Sequence, residues 1–294
     1  MGPFLLTPRG SVFPSPRPFR FLAVLSTALL LTACGGDDDG EDSGKLSRTT
    51  LEAADGQYWG APRFSPDGSR IAFTRTLDDG DTYEVAVMKA DGTDVRMLAN
   101  NGTYLTGTAW SPDGSRVYYS GEEGIFSVPA AGGTPVMEYD DFATSALDVS
   151  PDGKTVAYGT NGSGLTLLDL TTHTAQPLQD EGSSPAFSPD GKRLAYVTSG
   201  FDDAEVRVLT LATKQSTLVT AEASYLSAAD WLPDGRLAAL AGDGIMLFDL
   251  SGATPQGRLV RDEFAAKELD VSPDGKKMVY AINGRTDLFV LTGF

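Results

Sequence analysis

Cysteine and histidine are almost missing from this sequence: its 294 residues contain one of each, Cys34 and His173. One cysteine excludes an intramolecular disulfide, and one Cys with one His excludes a Cys/His zinc site. Ser-His-Asp chemistry is confined to whatever surrounds His173, which lies in the turn-like stretch Asp169-Leu-Thr-Thr-His-Thr-Ala. Basic charge is also scarce, with 23 Lys+Arg against 40 Asp+Glu and a net charge of -17. Nucleic-acid affinity rests on neutralising phosphates, so this balance argues against such a partner. There is no Gly-x-Ser-x-Gly elbow, no phosphate loop and no His-Glu-x-x-His. The sequence therefore offers no catalytic residue and implies no cofactor.

What is present begins at the N-terminus. Arg9, Arg17 and Arg20 are the only charges before residue 37, and the apolar run Phe21–Leu31 follows them. A basic start, a short apolar stretch and small residues after it describe a secretory signal peptide, and the run is too short for the roughly 20 residues of a spanning helix. Leu31-Thr32-Ala33-Cys34 resembles the bacterial lipobox. The resemblance implies cleavage before Cys34, with Leu31, Thr32 and Ala33 recognised by the peptidase and the Cys34 thiol carrying lipid. Residues 1–33 are expected to be the signal peptide. Their loss removes three arginines and no acids, which leaves 20 basic against 40 acidic residues, or -20. Residues 34–44 contain Asp37-Asp-Asp-Gly-Glu-Asp42 and are expected to form an acidic tether. Gly35 after the cysteine resembles outer-membrane sorting signals, so a lipid-anchored envelope location is expected, most simply the outer membrane.

The remainder, residues 45–294, is repetitive. Ser-Pro-Asp-Gly occurs at 65–68, 111–114, 150–153, 188–191 and 272–275, and Leu-Pro-Asp-Gly at 232–235. The prolines at 66, 112, 151, 189, 233 and 273 are spaced by 46, 39, 38, 44 and 40 residues. A period near 40–45 is that of a propeller blade. The motif suits a type I turn, an apolar residue precedes each copy, and strands such as Ile71-Ala-Phe-Thr or Leu194-Ala-Tyr-Val follow. Two more strands per unit complete a blade, so the spacing predicts an all-β, six-bladed propeller of four antiparallel strands per blade. The sixth unit ends after its third strand, and segment 45–52 is expected to supply the missing outer strand, because an open edge invites aggregation. The turns and strands resemble the WD40-like (PD40) repeat of TolB-like periplasmic propellers. That family carries an α/β domain before its propeller, whereas only residues 45–57 separate the tether from the first unit here.

The strand-two-to-three loops and the interblade loops share one face. They carry Trp59, Tyr104, Tyr139, Phe142, Tyr225 and Phe264 with Asp140, Asp141 and Asp262, and the adjoining loops add Asp78, Asp79, Asp81, Glu122 and Glu123. Aromatic anchors within a polar rim are the make-up of a protein interface, so this rim is the candidate binding surface, suited to a basic region of an unknown envelope protein. Asp148, Asp230 and Asp270 share one register, three residues before the motif proline, on strands that face the channel. They are weak metal candidates, since oxygen ligands suit Ca²⁺, and the other expectation is hydrogen bonding to neighbouring backbone. The sequence is thus read as a non-catalytic, lipid-anchored protein-binding module. The alternative is a glycan-active or metal-dependent enzyme, or a small-ligand binder, using the channel carboxylates.

Overall fold

The structure is a computed structural model that describes residues 45–100, 104–140, 143–160, 164–198, 204–221, 228–241, 244–263 and 265–294. β1 (Ser47–Leu51) precedes the first unit. Blade one is β2 (Tyr58–Phe64), β3 (Arg70–Thr76), β4 (Tyr83–Lys89) and β5 (Arg96–Asn100). Blade two is β6 (Leu105–Trp110), β7 (Arg116–Gly121), β8 (Gly124–Pro129) and β9 (Val136–Tyr139). Blade three is β10 (Ala143–Val149), β11 (Thr155–Thr160), β12 (Gly164–Asp169) and β13 (Thr174–Gln179). Blade four is β14 (Ser183–Phe187), β15 (Arg193–Val197), β16 (Val206–Thr210) and β17 (Gln215–Thr220). Blade five is β18 (Ala229–Trp231), β19 (Leu237–Ala241), β20 (Gly244–Asp249) and β21 (Gln256–Asp262). Blade six has three strands of its own, β22 (Ala266–Val271), β23 (Lys277–Ile282) and β24 (Leu288–Thr292), and takes β1 as its outer strand. The six-bladed fold and its N-terminal closure agree with the sequence pattern.

The closing strand runs antiparallel to β24, with Ser47 opposite Thr292 and Leu51 opposite Leu288. Glu263 fastens it: its two carboxylate oxygens accept from Arg48 Nη1 at 3.0 and 2.9 Å, and the group also accepts from Arg261 Nε at 2.7 Å and from Tyr280 Oη at 2.9 Å. Arg48 also lies 5.0 Å above the Phe289 ring. Leu51 is 3% exposed and joins the core between blades six and one.

The five Ser-Pro-Asp-Gly turns close the same way. In blade one, Ser65 Oγ donates to Asp67 Oδ1 at 2.5 Å and accepts Arg70 N–H at 2.9 Å, while Asp67 Oδ1 accepts Ser69 N–H at 3.0 Å. These bonds, the Ser65 hydroxyl foremost, hold the Asp67 carboxyl down to about 2; Asp113 is held to about 2 likewise, chiefly by Ser111. The motif glycine is required by backbone and space together. Gly275 has φ +69°, and a Cβ there would lie 3.0 Å from Cδ of Pro233 in the preceding blade's turn.

The strand after each turn is buried on both faces because a blade stacks on either side of it. Its apolar positions do not alternate with polar ones. Phe73, Tyr119, Tyr158 and Tyr280 at equivalent sites are fully buried. The core is divided into six clusters, one between each pair of neighbouring blades. A side chain of this size buried from water contributes about 1.5–3 kcal/mol, so stability is spread around the ring.

Candidate functional site

The inner strands β2, β6, β10, β14, β18 and β22 line the channel. Three residues before each motif proline they present Arg63, Ala109, Asp148, Ala186, Asp230 and Asp270. The carboxylates of this register join blades. Asp148 Oδ2 accepts Phe187 N–H, Asp230 Oδ2 accepts Val271 N–H and Asp270 Oδ2 accepts Phe64 N–H, each at 2.7 Å. Where the register holds no Asp, two joints use tryptophan in place of a carboxylate. Trp110 Nε1–H donates to Arg63 O at 3.0 Å, and Trp231 Nε1–H donates to Ala186 O at 3.1 Å. The joint between blades two and three uses neither device: Val149 N–H is taken by its own neighbour, Asp148 Oδ1, at 2.9 Å. Close backbone approach serves there, since a Cβ on Gly107 would lie 2.8 Å from Cα of Ala146.

Arg63 is the register residue that the search for acids passed over; its signal was its place, three residues before Pro66. Its guanidinium sits 3.7 Å from Asp270 Oδ1 and donates to Leu269 O at 3.1 Å and Pro62 O at 3.2 Å. The side chains of Arg63 and Asp270 each keep 14% of their surface accessible. Desolvation governs all three acids. It pushes Asp148 up to about 7, with the Asp230 charge adding to the rise and the Phe187 amide and Arg63 opposing it. Burial raises Asp230 against the pull of Arg63. Burial, then the Asp230 charge, hold Asp270 well above the usual carboxylate range. Three carboxylates and one guanidinium share this bore, and near neutral pH Asp148 is partly protonated. Among the described residues no three His, Cys, Asp or Glu side chains converge closely enough to hold a metal ion. Asp148, Asp230 and Asp270 are each turned to a blade joint.

The loop face is assembled differently from the sequence expectation. Trp59 is a correction. It is 5% exposed, packs at 4.8 Å on Phe73, and spends its indole N–H on Gln57 Oε1 at 3.2 Å. It belongs to the core between blades six and one, because the residue facing inward at the start of β2 meets the buried strand β3, and so it presents nothing to a partner. Tyr104 is 52% exposed and Tyr58 is 58% exposed. Tyr83, which the sequence reading did not single out, meets Tyr104 edge to face at 5.4 Å. Tyr58 and Tyr83 both pair with Thr76, so they lie at the same end of blade one. Asp78, Asp79, Asp81, Glu122 and Glu123 are exposed beside them. The Asp79 carboxylate closes its own loop, accepting Thr82 N–H at 2.8 Å and Asp81 N–H at 3.1 Å. Tyr139 is half-buried against the core between blades two and three, and Asp140 and Asp262 are exposed. Asp141, Phe142, Tyr225 and Phe264 lie outside the described residues, as do Leu31, Thr32, Ala33 and Cys34. His173 sits far from this face, in the exposed β12–β13 turn at φ 54°, with Nδ1 2.9 Å from Glu138 O.

Residues 47–184 match the PD40 family, described as the TolB beta propeller domain. Over that stretch the chain is similar to the TolB beta propeller domain. Among solved structures, TolB from Acinetobacter baumannii superposes with a TM-score of 0.60 at 16% identity, over 77% of this chain and 64% of its own length. The chain thus spans less than two thirds of that TolB. A putative TolB from Agrobacterium tumefaciens gives 0.55 at 21% identity, over 64% of this chain and 73% of its own. XC5397 from Xanthomonas campestris, titled a gluconolactonase, gives 0.66 at 15% identity, over 85% and 90%. At these identities the likenesses show the fold, which proteins titled as TolB and as gluconolactonase share.

Proposed function

We propose that this protein is a lipid-anchored propeller of the cell envelope that binds another protein through its loop face and turns over no substrate. The observation that carries it is the tyrosine group at the loop end of blades one and two: Tyr58 and Tyr104 are more than half exposed, and Tyr83 and Tyr104 meet at 5.4 Å, beside a run of exposed acids. Tyrosines are rigid, bury much area at small entropic cost, and are enriched at interface hot spots, while the surrounding carboxylates select a basic surface and speed encounter. In this reading residues 1–33 direct export, Cys34 is acylated, and residues 34–44 tether the propeller. The resemblance to TolB-type propellers supports the envelope location. The test is capture from crosslinked envelopes with the native chain and a Tyr58→Ser/Tyr104→Ser variant. A partner retained by the first and lost by the second supports the proposal; equal capture by both overturns it. Palmitate incorporation that persists in Cys34→Ser would refute the anchor separately.

The bore motivates a second reading, a small-ligand or enzymatic site, because carboxylates with raised pKa mark functional sites and some neighbours are titled as enzymes. Against it, each of the three carboxylates already accepts an amide of the next blade. Exchange of all three for Asn separates the readings: loss of a ligand or an activity with intact partner capture favours the second.

A further inference from the structure

A groove of about 760 Å³ lies between blades six and one, at the end of the propeller that carries the motif turns. β1 begins at this end, because Ser47 stands opposite Thr292 and Thr292 opposite Lys277, just past the last motif turn. The β4–β5 turn lies there too, since Ala90 N–H donates to Ser69 O at 2.9 Å. Four cations line the groove, Arg70, Lys89, Arg96 and Lys277, against two acids, Asp91 and Asp94. This local excess of positive charge stands in a chain whose net charge is -17. Asp91 is occupied by Thr93, accepting its N–H at 2.9 Å and its hydroxyl at 2.6 Å, and Asp94 lies 4.0 Å from Lys89. The two arginines meet uncharged groups. Arg70 lies 4.6 Å over the Trp110 ring and donates to Gly114 O at 3.4 Å, and Arg96 donates to Ala130 O at 2.6 Å and Ala131 O at 3.1 Å. Among the described residues no carboxylate comes within 4.0 Å of Arg70, Arg96 or Lys277. The groove at the turns of blades three and four is the contrast: Asp152 and Asp190 line it, and no cation does.

We infer that this groove seats the phosphate of an anionic membrane phospholipid and so holds the propeller with its turn end against the bilayer. The inference rests on the proposed acylation of Cys34. Two observations choose a lipid over a soluble anion. Thr49 of β1 lines the groove and stands fifteen residues after Cys34, so the groove stays within roughly 50 Å of an acyl anchor. Leu46 and Val95 are each 37% exposed, the first just before β1 and the second between Asp94 and Arg96. Exposed apolar residues beside cations are what the surface of an anionic bilayer attracts. This docking leaves the loop face open to a partner: Arg70 and Thr76 are the two ends of β3, and Tyr58 pairs with Thr76.

Lysine acetylation of the native chain, read by mass spectrometry, tests this in two kinds of vesicle, phosphatidylcholine alone and phosphatidylcholine mixed with phosphatidylglycerol. Acetylation of Lys89 and Lys277 should slow at least ~5-fold in the mixed vesicles, while Lys154 and Lys192, at the turns of blades three and four, should change less than ~2-fold. Lys277→Glu should abolish the protection of Lys89 and Lys277→Gln should reduce it, whereas Lys154→Glu should leave it intact. Equal acetylation in both kinds of vesicle overturns the inference. So does equal protection of Lys154 and Lys192, which would report attraction of the whole turn end with no seat in this groove. Inorganic phosphate that protects Lys89 and Lys277 equally well in phosphatidylcholine vesicles overturns it in favour of a soluble anion. The mass of the Cys34 peptide in the same samples reports acylation, so a missing anchor is told apart from an empty groove.

Discussion

Replacing Asp148 with Asn should stabilise this protein at alkaline pH and do nothing to it in mild acid. In the folded chain burial pushes Asp148 up to about 7 from an ordinary 3.8. A group with a raised folded-state pKa binds its proton more tightly folded than unfolded. Its contribution to stability is therefore fully present below about pH 4, declines as the pH rises, and is lost once the pH passes about 7. The rise from 3.8 to about 7, at 1.36 kcal/mol per pH unit, sets a ceiling of about 4 kcal/mol. Water reaching the carboxylate through the bore reduces this, so about 2 kcal/mol is expected at pH 8, or roughly 5 °C in Tm for a domain of this size. Asn keeps an oxygen able to accept Phe187 N–H, so the joint between blades three and four survives. The assay is thermal unfolding by circular dichroism from pH 4.5 to 8.5, with each variant compared with wild type at every pH. The comparison cancels the motif-turn aspartates such as Asp67, whose lowered pKa adds stability that is lost only as the pH falls toward about 2. The expected difference is near zero at pH 4.5 and grows through pH 7. A difference that is constant with pH, or a variant less stable at pH 8 than at pH 4.5 relative to wild type, would refute the argument.

The remaining predictions concern the same ring. Arg63→Met removes the cation that faces Asp270 and leaves that carboxylate without its ion pair, so it should cost about 3–5 kcal/mol at pH 8 and markedly less at pH 5, measured by urea unfolding at both pH values. Deleting residues 45–52 removes β1 with Leu51 and the Arg48–Glu263 contact and exposes the edge of β24; Tm should fall by about 10 °C or more, and light scattering should report aggregation, whereas an unchanged Tm would sink the closure. Trp231→Phe keeps most of the packing but loses the indole bond to Ala186 O, and should cost about 1–3 kcal/mol by the same unfolding assay, with no dependence on pH.

The fold was legible because one short turn is repeated with its chemistry intact. Ser-Pro-Asp-Gly states a turn type, its spacing states a blade, and the missing twenty-fourth strand could be sought only at the other end of the chain. What surrounds the channel was legible in part. The register of Asp148, Asp230 and Asp270 is visible as a fixed offset from the prolines, but a search for like residues cannot find Arg63, which holds that offset in blade one with the opposite charge. Nor does residue type say where Trp59 and Tyr104 point. Both stand at the start of inner strands, and only the packing of β2 against Phe73 turns the first into core while the second stays exposed.

The register also bears on where function can sit. At five of the six joints the two variable positions are matched: Asp in one blade meets the backbone amide of Phe or Val in the next, and a residue other than Asp at blades one and four meets a Trp donor. The residues that line the bore are therefore the ones that hold neighbouring blades together. A ligand that claimed Asp148, Asp230 or Asp270 would have to replace an amide bond worth about 1.5–3 kcal/mol to a charged group before it gained anything. A ligand meeting the exposed faces of Tyr58 and Tyr104 breaks no bond between blades. For a ring whose stability is spread over six joints, recognition on the loop face is the arrangement that leaves the joints intact.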